Sequence, residues 1–274
     1  MPLEDIDNAF SSARARGRAA LMPYFTLGYP DYETSLDIIQ ACVEASADMM
    51  ELGVPFSDPL ADGPVIQHST QVALENGMTV ARALAGVREL RARGVTIPFV
   101  LMGYFNPILA YGVERFVRDA AEAGANGLIV PDLTPEEAGE LEALCREHRL
   151  ALVYLLAPNS PEARIRLVCE RTTGFVYLVS VMGVTGSRTA LPPGLREFTE
   201  RVRKHARVPL AVGFGISTPD QAASVGEIAD GVIVGSALIK AVDSALENGT
   251  SPVQAAFELT RQLHAALNPV SSKQ

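Results

Sequence analysis

At 274 residues the chain is long enough for two small domains or for one alternating α/β unit, and its 48% hydrophobic, 20% charged composition is that of a folded globular protein. A formal charge of −9, with only Lys204, Lys240 and Lys273 as lysines, excludes nucleic acid or an anionic membrane as the main ligand, since both are held by concentrated positive charge. No run approaches the roughly 18 apolar residues of a membrane span, and the acidic start "MPLEDIDNAFSSARARGRAA" lacks a signal core, so a cytoplasmic protein is expected.

Residues 1–17 come first, and Leu3, Ile6 and Phe10 share one helical face there, so this segment is read as an extra helix covering the bottom of the fold. From Leu21 short apolar, β-branched runs alternate with helical periodicity. The predicted strands are "LMPYFTL", "ADMMELG", "PFVLMGY", "NGLIV", "ALVYLLA", "FVYLVS", "VPLAVGF" and "DGVIVG". Between them lie helical segments such as "ETSLDIIQACVEAS", "TVARALAGVRELRARG", "VERFVRDAAEAG", "TPEEAGELEALCREH" and "PEARIRLVCERT", several opening on Thr or Asp. Strand then helix, eight times over, reads as α/β of the (β/α)8 TIM-barrel kind. A doubly wound open sheet competes, but the first strand lacks a G-x-G-x-x-G turn and the glycines cluster after the last two strands. No low-complexity linker divides the chain, so 1–274 is read as one barrel domain with a flexible tail at 268–274. Cys42, Cys145 and Cys169 are odd in number and lack a C-x-x-C pair, which makes them packing residues.

The functional end of a barrel is the carboxyl end of its strands. There "MELGVPFSDPLADGPV" runs an apolar strand into Glu51 and then into a loop stiffened by Pro55, Pro59 and Pro64 that presents Asp58 and Asp62. Alternation puts Glu51 on the face of Met49, toward the interior or the mouth, where burial raises a carboxyl pKa toward that of a useful acid. A Glu hydrogen-bonded to backbone as a structural plug is the other reading. After strands seven and eight, "VGFGIST" and "VGSALI" set Gly213, Gly215, Gly235 and Ser236 where barrels hold a phosphate on backbone N–H groups. Tight turns without a ligand would look the same. "SVMGVTGSRTALPPG", Ser180–Gly194, has Gly183 and Gly186 around Val184 and Thr185, as a mobile lid or a plain surface loop would. The lysines miss the mouth and His68, His148, His205 and His264 are scattered, which argues against a Schiff base or a metal site. Carboxylate acid–base chemistry on a phosphate-bearing substrate remains.

These motifs together resemble the α subunit of tryptophan synthase. "MELGVPFSDPLADGPVIQ" is similar to the family signature nearly letter for letter, and "PYFTLGYP", "GVTG", "VGFGIS" and "VGSA" occur in the family's order. The resemblance implies a lyase that splits indole-3-glycerol phosphate into indole and glyceraldehyde 3-phosphate by a retro-aldol reaction. On that likeness Glu51 is the main acid–base group and Asp62 the carboxylate that accepts the indole N–H. Gly186, Gly215, Gly235 and Ser236 would bind phosphate. Thr185 would close the lid, while Tyr24, Met102, Tyr177 and Phe214 would enclose the indole. The chain itself would need no cofactor. Its partner would be a β subunit carrying pyridoxal phosphate in an α2β2 heterotetramer, met by Pro55, Asp58, the segment "GYFNP" with Asn106, and the start of the fourth helix. A stand-alone indole-releasing lyase, another phosphate-binding barrel isomerase and a non-catalytic sensing subunit are the alternatives.

Overall fold

Runs of β-branched and apolar residues with no polar alternation are suited to a parallel sheet covered on both faces. In the computed structural model, which describes residues 2–180, 193–213 and 215–268, they form β1 (Ala20–Thr26), β2 (Met50–Gly53), β3 (Phe99–Met102), β4 (Gly127–Ile129), β5 (Ala151–Val153), β6 (Leu155–Leu156), β7 (Val176–Val179), β8 (Leu210–Gly213) and β9 (Gly231–Val234). Their order is β5-β4-β3-β2-β1-β9-β8-β7-β6, with every pairing parallel. The outer members β5 and β6 are separated in sequence only by Tyr154, so one stretch of chain joins both ends of the sheet into a nearly closed barrel. This is the expected (β/α)8 architecture.

The fifth expected strand is divided for a local reason. The Leu152 amide donates to Thr173 Oγ1 (2.8 Å) and the Tyr154 amide to Thr172 Oγ1 (3.1 Å), while Tyr154 O accepts from the Tyr177 amide (3.0 Å). Threonine hydroxyls replace strand carbonyls as acceptors, and the ladder is interrupted there.

Helices Tyr32–Glu44, Val80–Ala92, Val113–Ala123 and Glu162–Arg171 fall in their expected segments. Asp31 and Thr79 cap the first two by accepting the amides of Thr34 (2.9 Å) and Arg82 (3.2 Å). The helix expected from Thr134 begins instead at Gly139, because residues 134–138 first close a turn, with the Glu137 amide on Thr134 O (3.1 Å) and Thr134 Oγ1 on Glu137 Oε2 (3.1 Å). A helix also opens at Pro64, inside the stretch read as loop up to Val65. Proline at the first helical position loses no hydrogen bond and brings a suitable φ.

At the strands' amino ends the helix Pro2–Ala15 buries Ile6, Phe10 and Ala13, and the Phe10 ring lies 5.8 Å from that of Phe175. Each such large apolar side chain contributes about 1.5–3 kcal/mol on removal from water. Asn126 ties this helix to the barrel: Nδ2 donates to Pro2 O (2.9 Å), and Oδ1 accepts from the Phe99 amide (2.9 Å) and Arg91 Nη2 (2.8 Å). The three cysteines are buried and free. No helix among the described residues is long and apolar enough to cross a membrane.

Candidate active site

Paired residues of a parallel sheet point to the same side, so register decides what faces the barrel's interior. Tyr24 pairs with Glu51 and Glu51 with Val100, and one step nearer the mouth Gly53 pairs with Met102 and Met102 with Ile129. Across the barrel Tyr177 pairs with Ala211 and Val179 with Gly213. Two glycines make room for the two tyrosines. A Cβ on Gly53 would overlap the Tyr24 hydroxyl, and one on Gly213 would overlap the Tyr177 hydroxyl. Glu51, Tyr24, Met102 and Tyr177 are thus brought together on the inward face, all less than a tenth exposed.

Glu51 is 1% exposed, and its Oε2 has no hydrogen-bond partner among the described residues. Burial, and secondly the charge of Asp62, push its pKa up from the ordinary 4.5 to about 8. Asp62 is raised by burial from 3.8 to about 6, against a hydrogen bond from Tyr104 that pulls it down. Asp62 therefore ionises first, and Glu51 gives up its proton beside an existing anion. Near neutral pH the pair is one carboxylic acid and one carboxylate. Tyr24 and Tyr177 stay neutral, held far above their ordinary range mainly by burial, then by Asp62 at Tyr24 and by Glu51 and Asp62 at Tyr177.

Asp62 is fixed from several directions. Its amide donates to Pro59 O (3.0 Å), and its carbonyl accepts from Gln67 Nε2 (2.8 Å). The Tyr104 hydroxyl donates to Asp62 Oδ2 (3.0 Å) while accepting the Ala61 amide (3.0 Å). Downstream, Ser69 Oγ donates to Ile66 O (2.9 Å) and lies 2.7 Å from Thr26 Oγ1, joining the helix Pro64–Glu75 to β1. Thr26 Oγ1 is in turn 3.3 Å from the Tyr24 hydroxyl.

On the other flank of β1, adjacent strands β9 and β8 lead to Gly235 and Gly215. Gly215 has φ +80°, the left-handed region that favours glycine. Gly235 begins the twelve-residue helix Ser236–Glu247 with no side-chain cap, and a Cβ on it would come within 3.3 Å of the Tyr24 ring. The neighbouring helix Pro219–Gly226 is different, for Thr218 and Gln221 form a complete capping box over its first turn. Of these two helix starts, only that at Ser236 has backbone donors without a side-chain cap.

Thr185, Gly186 and Phe214, with the expected lid and most of the expected tail, lie outside the described residues. Asp58 and Asn106 are exposed, whereas Pro55 is buried. Leu60 is the exposed apolar group of that loop, 91% exposed. Sequence reasoning missed Tyr104 as a partner of Asp62, and it missed Gly53. A glycine two residues after an inward carboxylate was the available signal for the second; Tyr104 stands in the sequence only as the first of two aromatics in "GYFNP" just past β3. A surface recess of about 300 Å3 between Arg14, Arg203, Arg207 and Asp230 lies at the other end of the barrel, away from the acids.

Fold and site define a class: a (β/α)8-barrel enzyme with a buried carboxyl and a partly buried one, of unequal acidity, at its mouth. The family model described as tryptophan synthase alpha chain matches residues 10–268. A tryptophan synthase alpha chain of Roseiflexus castenholzii is 51% identical over 238 residues, 87% of this chain and 91% of that one. Among solved structures, Mycobacterium tuberculosis tryptophan synthase superposes with a TM-score of 0.88 at 41% identity, covering 97% and 98% of the two chains. The alpha chain of Legionella pneumophila gives 0.90 at 36% identity, covering 98% of each. The chain belongs to the tryptophan synthase alpha chain family. It is a carbon–carbon lyase of tryptophan biosynthesis that cleaves indole-3-glycerol phosphate, with the role of the alpha subunit beside a beta subunit.

Proposed function

We propose that Glu51 and Asp62 carry the cleavage as an acid and an anion set apart by their surroundings. The observation behind this reading is the contrast in surroundings: Glu51 is 1% exposed with Oε2 unpartnered among the described residues, whereas Asp62 Oδ2 takes the Tyr104 hydroxyl at 3.0 Å. The pKa values of about 8 and about 6 follow that contrast. Protonated Glu51 delivers its proton to C3 of the indole ring, and Asp62 accepts the ring N–H and offsets the positive charge that develops. The Glu51 carboxylate so formed takes the proton of the glycerol hydroxyl next to the bond being broken. The carbon–carbon bond's electron pair returns to the ring, indole and glyceraldehyde 3-phosphate separate, and Glu51 is protonated again. Protons balance over the cycle.

In the same reading Gly215, Gly235 and Ser236, with Gly186, hold the phosphate on backbone donors, which suits a chain with few lysines. Tyr24, Met102, Tyr177 and Phe214 enclose the indole, and Thr185 closes over it. Residues 1–274 act as one barrel unit in the cytoplasm. The beta subunit docks on the exposed loop that carries Asp58 and Leu60 and on the segment of Asn106, in an α2β2 assembly whose pyridoxal phosphate belongs to that partner. The exposed Leu60 favours a partnered enzyme over a stand-alone one.

The test is indole release from indole-3-glycerol phosphate. E51Q and D62N should each lose it by at least about a hundredfold, the scale of general acid–base catalysis, while still binding glycerol phosphate. Retained turnover in E51Q sinks the assignment.

A further inference from the structure

We infer that Tyr104 is a positioning residue for the cleavage, holding Asp62 in its ionised, receptive form by donating a hydrogen bond to one carboxylate oxygen and leaving the other for the substrate. This rests on Asp62 being the carboxylate that accepts the ring N–H, and it extends that reading to a residue that contributes no acid or base of its own.

The geometry leaves the phenol little choice. Its oxygen accepts the Ala61 amide at 3.0 Å, so its one proton is directed elsewhere, and Asp62 Oδ2 lies 3.0 Å away. Tyr104 is 4% exposed, and no competing solvent reaches that proton easily. The ring is braced against Phe56, with centroids 5.4 Å apart, and the residue immediately precedes the helix Phe105–Tyr111. One side chain thus spans from the end of β3 to the loop bearing the acid. The contact favours the anion, because a neutral carboxyl accepts a hydrogen bond only about half as strongly.

Among the described residues, the titratable groups around this spot are carboxyls and phenols. Asp62 lies near Glu51 of β2, Tyr24 of β1 and Tyr177 of β7, and Asp132, beyond β4, acts on Tyr104 itself. None is a cation. Burial lifts the Asp62 pKa, and the Tyr104 hydrogen bond is what opposes the rise. Without it the acidity of Asp62 moves toward that of Glu51, and the pH interval in which one is protonated and the other ionised narrows.

The experiment is the pH dependence of indole release by the Y104F chain, which keeps the ring and loses only the hydroxyl. The acid limb of kcat/KM is expected to move up by about one pH unit, a deficit approaching tenfold below pH 6 that closes toward pH 8. A deficit equal at every pH, or none, overturns the inference, since lost packing alone has no reason to follow Asp62 ionisation. The same shift should appear without turnover, as a raised midpoint of the Asp62 carboxyl carbon by 13C NMR in E51Q/Y104F relative to E51Q; an unmoved midpoint also overturns it. D62N separates the two levels. If D62N keeps its rate, the reading of Asp62 fails and this inference with it; if D62N is inactive and the Y104F limb is unmoved, only the role of Tyr104 fails.

Discussion

Replacing Glu51 by Gln should change how stability depends on pH, not only abolish turnover. The folded chain keeps the Glu51 proton up to about pH 8, whereas an ordinary Glu releases it near 4.5. Between those values the folded state binds more protons than the unfolded one, so this group's contribution is full below pH 4.5 and is lost as pH rises toward 8. At about 1.4 kcal/mol per pH unit, the loss between pH 5 and pH 9 is about 4 kcal/mol. A Gln amide does not titrate, but it buries polar atoms at a pH-independent cost of about 1–3 kcal/mol. E51Q should therefore be the less stable protein at pH 5 and the more stable one at pH 9. Urea unfolding of both proteins across this range measures the difference directly, and the titrating groups remote from Glu51 cancel in it. A gap between the two that stays constant from pH 5 to pH 9 would refute the buried, protonated Glu51.

Indole release by the unaltered chain should be greatest on a plateau bounded near the two acidities, about 6 and about 8, with kcat/KM falling on both sides. Gly53→Ala should destabilise by about 1–3 kcal/mol in urea unfolding and raise KM, because the new methyl overlaps the Tyr24 hydroxyl; adding Tyr24→Phe should recover part of the loss. Gly213→Ala should behave likewise against Tyr177. Leu60→Asp should leave indole release by the lone chain within about twofold and weaken its stimulation by a beta subunit, since a 91% exposed side chain has little to do in the isolated fold.

The barrel was legible because its strands are buried on both faces, and such strands write themselves as unbroken apolar runs between amphipathic helices. Departures arose where a side chain took over a backbone task. Thr172 and Thr173 interrupt β5 and β6, and Thr134 closes a turn ahead of its helix. Pro64 is a visible helix start, yet the carboxylates around it read first as loop. At the site, the inward face of Glu51 follows from alternation alone. The direction of its pKa shift follows too, but the size does not, for it depends on apolar neighbours from strands far away in sequence. Tyr104 stands 42 positions from Asp62, and nothing local to either residue announces their contact.

The two glycine–tyrosine arrangements bear on how this protein can vary. At 24 and 53, and again at 177 and 213, a ring on one strand fills the volume that a neighbouring strand has vacated. Each couple shares a fixed allotment of space, so its members are expected to change in concert: a relative with a side chain at 53 should carry something shorter at 24. The lumen's width at the mouth is thereby set by pairs of positions, and drift at one of them is tolerated only as fast as its neighbour across the ladder can adjust.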